Sequence, residues 1–130
     1  MIKFRYPDDP LRVSVDHLKK LQDKEPGRWM AQFKYDGWRC PIYKFDGSFH
    51  FYAKRSTTSE RDKPPPASLV AELEKLNLPD GCAFDAEWMG PRDIKGLLKG
   101  RHYFVLFDMT YHNGIWIGDQ RFDKRFALMG

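Results

Sequence analysis

Three consecutive β-type segments in the first half of the chain constrain the fold more than any other feature. Aromatic and apolar residues dominate each segment, and Asp46-Gly47, a dipeptide typical of two-residue hairpin turns, separates the last two. Hairpin neighbours are antiparallel, so the sheet that contains them is antiparallel there. The pattern predicts strands over Trp29–Lys34, Trp38–Phe45 and Phe49–Lys54.

The rest of the chain adds helical segments and a second β-rich stretch. The predicted segments are a helix over Val15–Asp23, capped by Ser14 and ended by Pro26-Gly27; a helix over Ser68–Leu76; strands over Cys82–Met89 and His102–Tyr111; an Asn113-Gly114 turn into Ile115–Ile117; and the start of a helix over Asp119–Met129. Strands and helices do not alternate as βαβ units do. We therefore predict an α+β fold of mostly antiparallel β-sheets with flanking helices.

Length and composition set the broad class. At 130 residues the chain is one domain at most, and it is long enough for a hydrophobic core. It has no apolar run of membrane-spanning length and no signal-peptide hydrophobic region, so we expect no membrane partner and a cytoplasmic location. Cys40 and Cys82 are interpreted as reduced thiols. The net charge of +4 is compatible with a polyanionic partner but does not identify one.

The hexapeptide Lys34-Tyr35-Asp36-Gly37-Trp38-Arg39 carries the most chemistry. A lysine amine is a nucleophile only when neutral, so it needs a desolvated or cationic surrounding. Gly37 allows the backbone to turn and to approach a bulky nucleotide. Asp36 can orient the lysine or a metal-bound group, and Arg39 offers a planar fork of donors to ribose or phosphate oxygens. The alternative is a polar hairpin, since Asp-Gly is a common turn sequence.

The hexapeptide fits the pattern K-x-D-G-x-R, and in this it resembles the signature of the covalent nucleotidyltransferases. These are the ATP-dependent DNA ligases, the RNA ligases and the mRNA capping enzymes, in which the lysine attacks the α-phosphate of a nucleoside triphosphate. The resemblance implies that Lys34 becomes a lysyl-nucleotide. It also implies that Asp36 assists the lysine or a later 3′-hydroxyl step.

Two later segments extend the resemblance. Phe84-Asp85-Ala86-Glu87-Trp88 resembles the family's D-G-E motif, with alanine in place of glycine, and implies that Glu87 contacts the ribose or a metal. Strand alternation places Asp85 and Glu87 on one face, where two carboxylates require partners unless that face is solvated. Tyr103–Met109 resembles the family's aromatic-aspartate strand and implies that Phe107 stacks on the purine. On its own, Phe107 would be interpreted as a core residue.

Two further positions match the family. Gln32 stands where DNA ligases often carry a glutamate that reads the adenine amino group, and a glutamine carbonyl can accept the same hydrogen bond. Arg55, within Lys54-Arg55-Ser56, matches an arginine that contacts a phosphate, often of the nucleic acid.

Over Gln32–Arg125 the resemblance implies an ATP-dependent polynucleotide ligase that uses ATP and Mg²⁺ and acts on nicked duplex DNA, or on RNA. Residues 1–130 would be part of an ATP-grasp-like nucleotidyltransferase (adenylation) domain without its later glutamate and lysine motifs or its OB-fold domain. Such a chain could be a fragment of a bacterial or phage ligase that is monomeric at full length, half of a split enzyme, or a decayed remnant. The implied ATP-binding residues are Gln32, Lys34, Arg39, Arg55, Glu87 and Phe107, with Glu87 also a metal ligand.

Three rival interpretations remain. A capping guanylyltransferase would use GTP. A remnant would bind nucleotide or nucleic acid without catalysis. A basic α+β interaction domain would match the motifs by chance.

Overall fold

One antiparallel sheet organises the molecule. The computed structural model describes residues 12–53, 64–90 and 102–130. Its strands are β1 (Trp38–Arg39), β2 (Ile42–Phe45), β3 (Ser48–Phe51), β4 (Cys82–Met89), β5 (Tyr103–His112) and β6 (Ile115–Trp116). The order across the sheet is β3-β2-β4-β5-β6, and β1 also pairs with β4. All of these pairings are antiparallel, which confirms the predicted α+β class.

Three helices accompany the sheet: α1 (Val15–Lys24), α2 (Ala67–Glu74) and α3 (Phe122–Ala127). The predicted cap of α1 is confirmed, because the Ser14 side chain accepts a 3.1 Å hydrogen bond from the backbone N–H of His17. Within the described ranges no helix is long and apolar enough to cross a membrane.

The apolar spacing of α1 forms the helix but covers no core. Val15 is 67% exposed and Leu18 is 46% exposed, and none of the residues of α1 is buried. In α2, by contrast, Leu69 and Leu73 are buried. Leu76 ends the predicted helix, but α2 stops before it and the residue is 56% exposed.

The strand predicted over Trp38–Phe45 is interrupted at its centre. The Cys40 N–H still donates to the Ala86 carbonyl at 2.8 Å, but Pro41 has no N–H and cannot continue the ladder. The Pro41 carbonyl instead accepts from the Tyr52 N–H at 2.9 Å. β1 and β2 therefore lie on the same side of β4, as two short strands instead of one.

Both predicted two-residue hairpin turns are confirmed. Asp46 and Gly47 have φ of 51° and 74°, and Asn113 and Gly114 have φ of 51° and 76°. Positive φ at both central positions is the type I′ geometry, whose twist matches that of the flanking strands. The turns fix the registers of β2 with β3 and of β5 with β6.

The pairing of β4 with β5 contains two register shifts. Asp85 lies opposite Asp108 while Ala86 lies opposite Leu106, so Phe107 is an extra residue on β5. A second shift leaves Thr110 without a partner position on β4. Such bulges redirect side chains and are enriched beside functional sites.

Apolar side chains cover one face of the sheet and bury α2 against it. The cluster on this face contains Cys40, Ile42, Phe51, Leu69, Leu73, Ala86 and Trp88. A second apolar cluster adjoins the turn end of the sheet, around Phe84 and Met109. The opposite face carries Asp85 and a smaller aromatic group around Tyr43 and Tyr52.

The strand predicted over Trp29–Lys34 is wrong. Residues 28–36 form an exposed coil, and Phe33 is 88% exposed. A strand requires a neighbour for its backbone hydrogen bonds, and among the described residues no strand pairs with this segment. A side chain joins this segment to the sheet, through the hydrogen bond from Gln32 to β5.

Candidate functional site

A cavity of about 280 Å³ lies between the coil and the sheet. Four of the predicted site residues line it: Gln32 and Lys34 from the coil, Glu87 from β4 and Phe107 from β5. The aromatic side chains of Phe33 and Tyr35 complete its lining. The fold thus brings together residues up to 75 positions apart in the sequence.

The coil is tied to the bulge of β5. The side-chain amide nitrogen of Gln32 donates a 3.1 Å hydrogen bond to the carbonyl of Phe107. The amide nitrogen makes this bond, and the amide oxygen of Gln32 is a separate acceptor. That oxygen is the atom predicted to accept from adenine.

Gly37 is held against β4 by close backbone contact. A Cβ at this position would lie 2.6 Å from the carbonyl oxygen of Trp88 and 2.6 Å from the sulfur of Met89. The Gly37 N–H donates a 3.2 Å hydrogen bond to Oε2 of Glu87. Gly37 was predicted to allow a turn and the approach of a nucleotide. Its φ is not left-handed, and what comes close to it is β4.

The predicted need for carboxylate partners on β4 is confirmed. Arg39 donates through Nε to Asp85 at 2.9 Å, and a second bond joins Nη2 to the other carboxylate oxygen. Asp85 is 1% exposed, so its charge requires this fork. Arg39, predicted to hold the ribose, lies opposite Glu87 in the register and is directed toward Asp85.

Burial and neighbouring charges alter the acidity of both carboxylates. Burial raises the pKa of Asp85, and the adjacent Asp108 adds to the rise, while Arg39 opposes it. Burial also raises the pKa of Glu87, with Asp85 adding to the rise and the Gly37 N–H opposing it. Glu87 therefore accepts a proton more readily than an exposed glutamate does.

A second buried ion pair, between Arg125 and Asp108, was not predicted from the sequence. Arg125 of α3 donates through Nε at 2.8 Å and through Nη2 at 3.0 Å to the carboxylate of Asp108. Its Nη1 also donates to the carbonyls of Gly118 and Gln120. Asp108 follows Phe107 directly, so Arg125 fixes the backbone beside the cavity. An aspartate within an apolar strand was the available signal, but nothing in the sequence indicated its partner.

Some predicted residues are not brought to the cavity. Asp36 does not line it, and Arg55 lies outside the described residues. Lys34 is exposed, so the described surroundings do not supply the desolvation expected of a neutral amine. Across the described ranges no three His, Cys, Asp or Glu side chains gather as a metal site. Among the described residues, Glu87 is the carboxylate of the cavity lining.

Comparisons with known proteins find no matching family model, no matching curated protein and no matching solved structure.

Proposed function

We propose that the chain belongs to the ATP-grasp-like adenylation domain of an ATP-dependent DNA ligase, with Lys34 as the nucleophile. The observation that carries the proposal is the shared cavity of Gln32, Lys34, Glu87 and Phe107. These are the residues that the resemblance had assigned to adenine, the α-phosphate, the ribose and the purine face. Their meeting in one place is not required by the fold class alone.

The cavity suits a nucleoside better than a whole triphosphate. Its volume of about 280 Å³ is at the lower end of small-molecule sites. Adenine would stack on Phe107 and donate its amino group to Oε1 of Gln32. Glu87 would meet the ribose, whereas Arg39 is engaged with Asp85 and does not line the cavity.

The reaction proposed for Lys34 is a phosphoryl transfer. The neutral amine forms a bond to the α-phosphorus of ATP and releases one proton to solvent, while the bond from that phosphorus to the oxygen that bridges to the β-phosphate breaks and pyrophosphate leaves. Mg²⁺ often binds through one or two carboxylates together with substrate phosphates, so Glu87 fits as its protein ligand. The ion would neutralise the developing charge on the phosphates. AMP then moves to a 5′-phosphate end, and a 3′-hydroxyl displaces it to seal the nick.

One observation favours a second candidate, a non-catalytic nucleotide-binding module. The exposed Lys34 remains in water, where its amine is not desolvated. Such a module would use the same cavity without forming a covalent bond. RNA ligase differs from DNA ligase only in the polynucleotide, and no residue of the cavity discriminates between them.

Incubation of the full-length gene product with ATP labelled at the α-phosphate tests the proposal. We expect a covalent label that Lys34→Arg abolishes, because a guanidinium stays protonated and cannot attack. Lys20→Arg on exposed α1 is the matched control and should label normally. Labelling that survives in Lys34→Arg would overturn the assignment of the nucleophile. Preferential labelling by GTP would favour a capping-type enzyme.

The non-catalytic module makes a different prediction in the same experiment. ATP would bind, and Phe107→Ala would weaken that binding, but no label would resist denaturation. Equilibrium dialysis with labelled ATP, run beside the covalent assay, separates the two functions.

A further inference from the structure

A second concave surface lies where the coil after α1 meets the start of α3. This cleft, of about 470 Å³, is lined by Gly27, Arg28, Trp29, Met30, Arg121, Phe122 and Asp123. It shares no lining residue with the cavity of Lys34. We call it the Trp29 cleft.

The Trp29 cleft combines two guanidinium groups with an aromatic surface. The side chains of Arg28 and Arg121 are 65% and 66% exposed, and Trp29 is 50% exposed. Each arginine has an acidic neighbour: Glu25 lies 3.6 Å from Arg28, and Asp123 lies 3.1 Å from Arg121. Exposed ion pairs of this kind contribute little, so a phosphate can compete for both guanidinium groups.

The occupant of the Trp29 cleft must suit both its charge and its aromatic surface. Asp123 is engaged through Oδ2 with Arg121, and its Oδ1 atom is buried and so is not reached from the cleft. Free phosphate would meet the arginines and leave Trp29 unused. A nucleotide brings a phosphate for the arginines and a flat base for Trp29.

We propose that the Trp29 cleft binds one nucleotide unit of a single-stranded nucleic-acid segment. The base stacks on Trp29, and the flanking phosphates contact Arg28 and Arg121. The choice of a polynucleotide over a free nucleotide rests on the proposed function. Trp29 and Lys34 lie on the same coil, at most about 18 Å apart when that segment is fully extended. A strand end held in the cleft is thus within a few nucleotides of the proposed lysyl-AMP.

The test is the binding of a fluorescein-labelled single-stranded 12-mer to the full chain, followed by anisotropy in the absence of ATP. Trp29→Ala should weaken binding by roughly 5- to 150-fold, the range of base–aromatic stacking. Phe45→Ala is the matched control, because Phe45 is 48% exposed and lies outside the cleft. Trp29→Phe keeps a stacking surface and should restore most of the affinity.

The salt dependence tests the phosphate contacts. Single strands give a slope of about 0.7 in log K against log salt per phosphate neutralised. The double variant Arg28→Gln with Arg121→Gln should therefore lower the slope by about 1.4. Lys19→Gln with Lys20→Gln removes the same charge from α1 and should lower it far less. Equal losses in the two double variants, or unchanged binding in Trp29→Ala, would overturn the proposal. Full displacement of the 12-mer by millimolar AMP would show that the cleft binds a free nucleotide and not a polynucleotide.

The experiments distinguish a failure of nucleic-acid binding in the Trp29 cleft from a failure of the proposed ligase function. Lys34→Arg should leave binding of the 12-mer unchanged, because Lys34 does not line the Trp29 cleft. A protein that binds the 12-mer through Trp29 but never forms an adduct retains the cleft and loses the ligase assignment. A protein that forms the adduct but binds the 12-mer independently of Trp29 retains the ligase assignment and loses the cleft as the binding site.

Discussion

Replacement of Gly37 by alanine should damage both the sheet and the proposed site. The added Cβ would lie 2.6 Å from the Trp88 carbonyl oxygen, whereas non-bonded heavy atoms prefer about 3.5–4.0 Å. Because that oxygen belongs to the backbone of β4, the coil must move away by about 1 Å. A shift of this size lengthens the 3.2 Å bond from the Gly37 N–H to Glu87 beyond hydrogen-bonding range.

The cost follows from these two losses. Overpacking costs about 1–3 kcal/mol, and the lost bond to a charged group costs about 1.5–3 kcal/mol. Restriction of the unfolded chain by alanine returns about 0.4–1 kcal/mol. We therefore expect Gly37→Ala to lower the free energy of unfolding by about 2–5 kcal/mol, measured by urea denaturation. Covalent labelling by ATP should fall as well, because Glu87 and Lys34 no longer keep their relative positions.

Gly47→Ala is the control for the glycine itself. No heavy atom lies within 4 Å of a Cβ there, so its cost is the strain of the left-handed φ of 74°, about 1–2 kcal/mol. Labelling should be retained, because Gly47 belongs to the distant hairpin turn. Unfolding of Gly37→Ala at the same urea concentration as the wild type would refute the close contact between Gly37 and β4.

Three further perturbations test the buried charges and the core. Arg125→Met should lower the free energy of unfolding by about 3–5 kcal/mol in urea, because it leaves Asp108 buried without its partner; a cost below 1 kcal/mol would mean that the pair is solvated. Glu87 has a pKa raised above its ordinary 4.5, so its contribution to stability is present below pH 4.5 and is lost as the pH rises through the folded-state value. Glu87→Gln should make urea unfolding less dependent on pH across that window, and an unchanged pH profile would contradict the raised pKa. Leu73→Ala should cost about 2–5 kcal/mol by the same assay, whereas exposed Leu76→Ala should change stability by less than about 0.5 kcal/mol, and equal effects would contradict the burial of α2.

Local sequence chemistry was sufficient for the turns and for most of the element boundaries. Asp46-Gly47 and Asn113-Gly114 tolerate the positive φ that a type I′ turn needs, so their hairpins follow from adjacent residues. The strand over Cys82–Met89 was predicted with its observed bounds. In each case a few neighbouring residues decide the structure.

The predictions that failed depend on residues distant in sequence. Trp29–Lys34 has the composition of a strand, but pairing needs a neighbour, and composition does not say whether one is present. α1 shows the reverse case, because its periodicity forms a helix none of whose residues is buried. The partner of Asp108 could not be predicted either, because Arg125 reaches Asp108 through the packing of α3 against β5.

The candidate site was predictable as a set of residues but not as a geometry. Resemblance named Gln32, Lys34, Glu87 and Phe107, and these four do line one cavity. Strict alternation along β5 does not reveal the extra residue at Phe107, because a bulge is set by the register with β4. The direction of Arg39 toward Asp85 likewise depends on which strand lies beside β1.

The two extra residues of β5 limit how this strand can change in length during evolution. Between Phe107 and Thr110 the inward and outward sides of β5 are exchanged relative to the rest of the strand. Deletion of Phe107 alone would make Asp108 follow Leu106 directly. Because successive side chains of a strand alternate, Asp108 would stay opposite Asp85 and on the other face from Leu106. Length changes in β5 are therefore expected at the two extra residues, where a loss preserves the core register, and the loss of Phe107 also removes the aromatic side chain that lines the cavity.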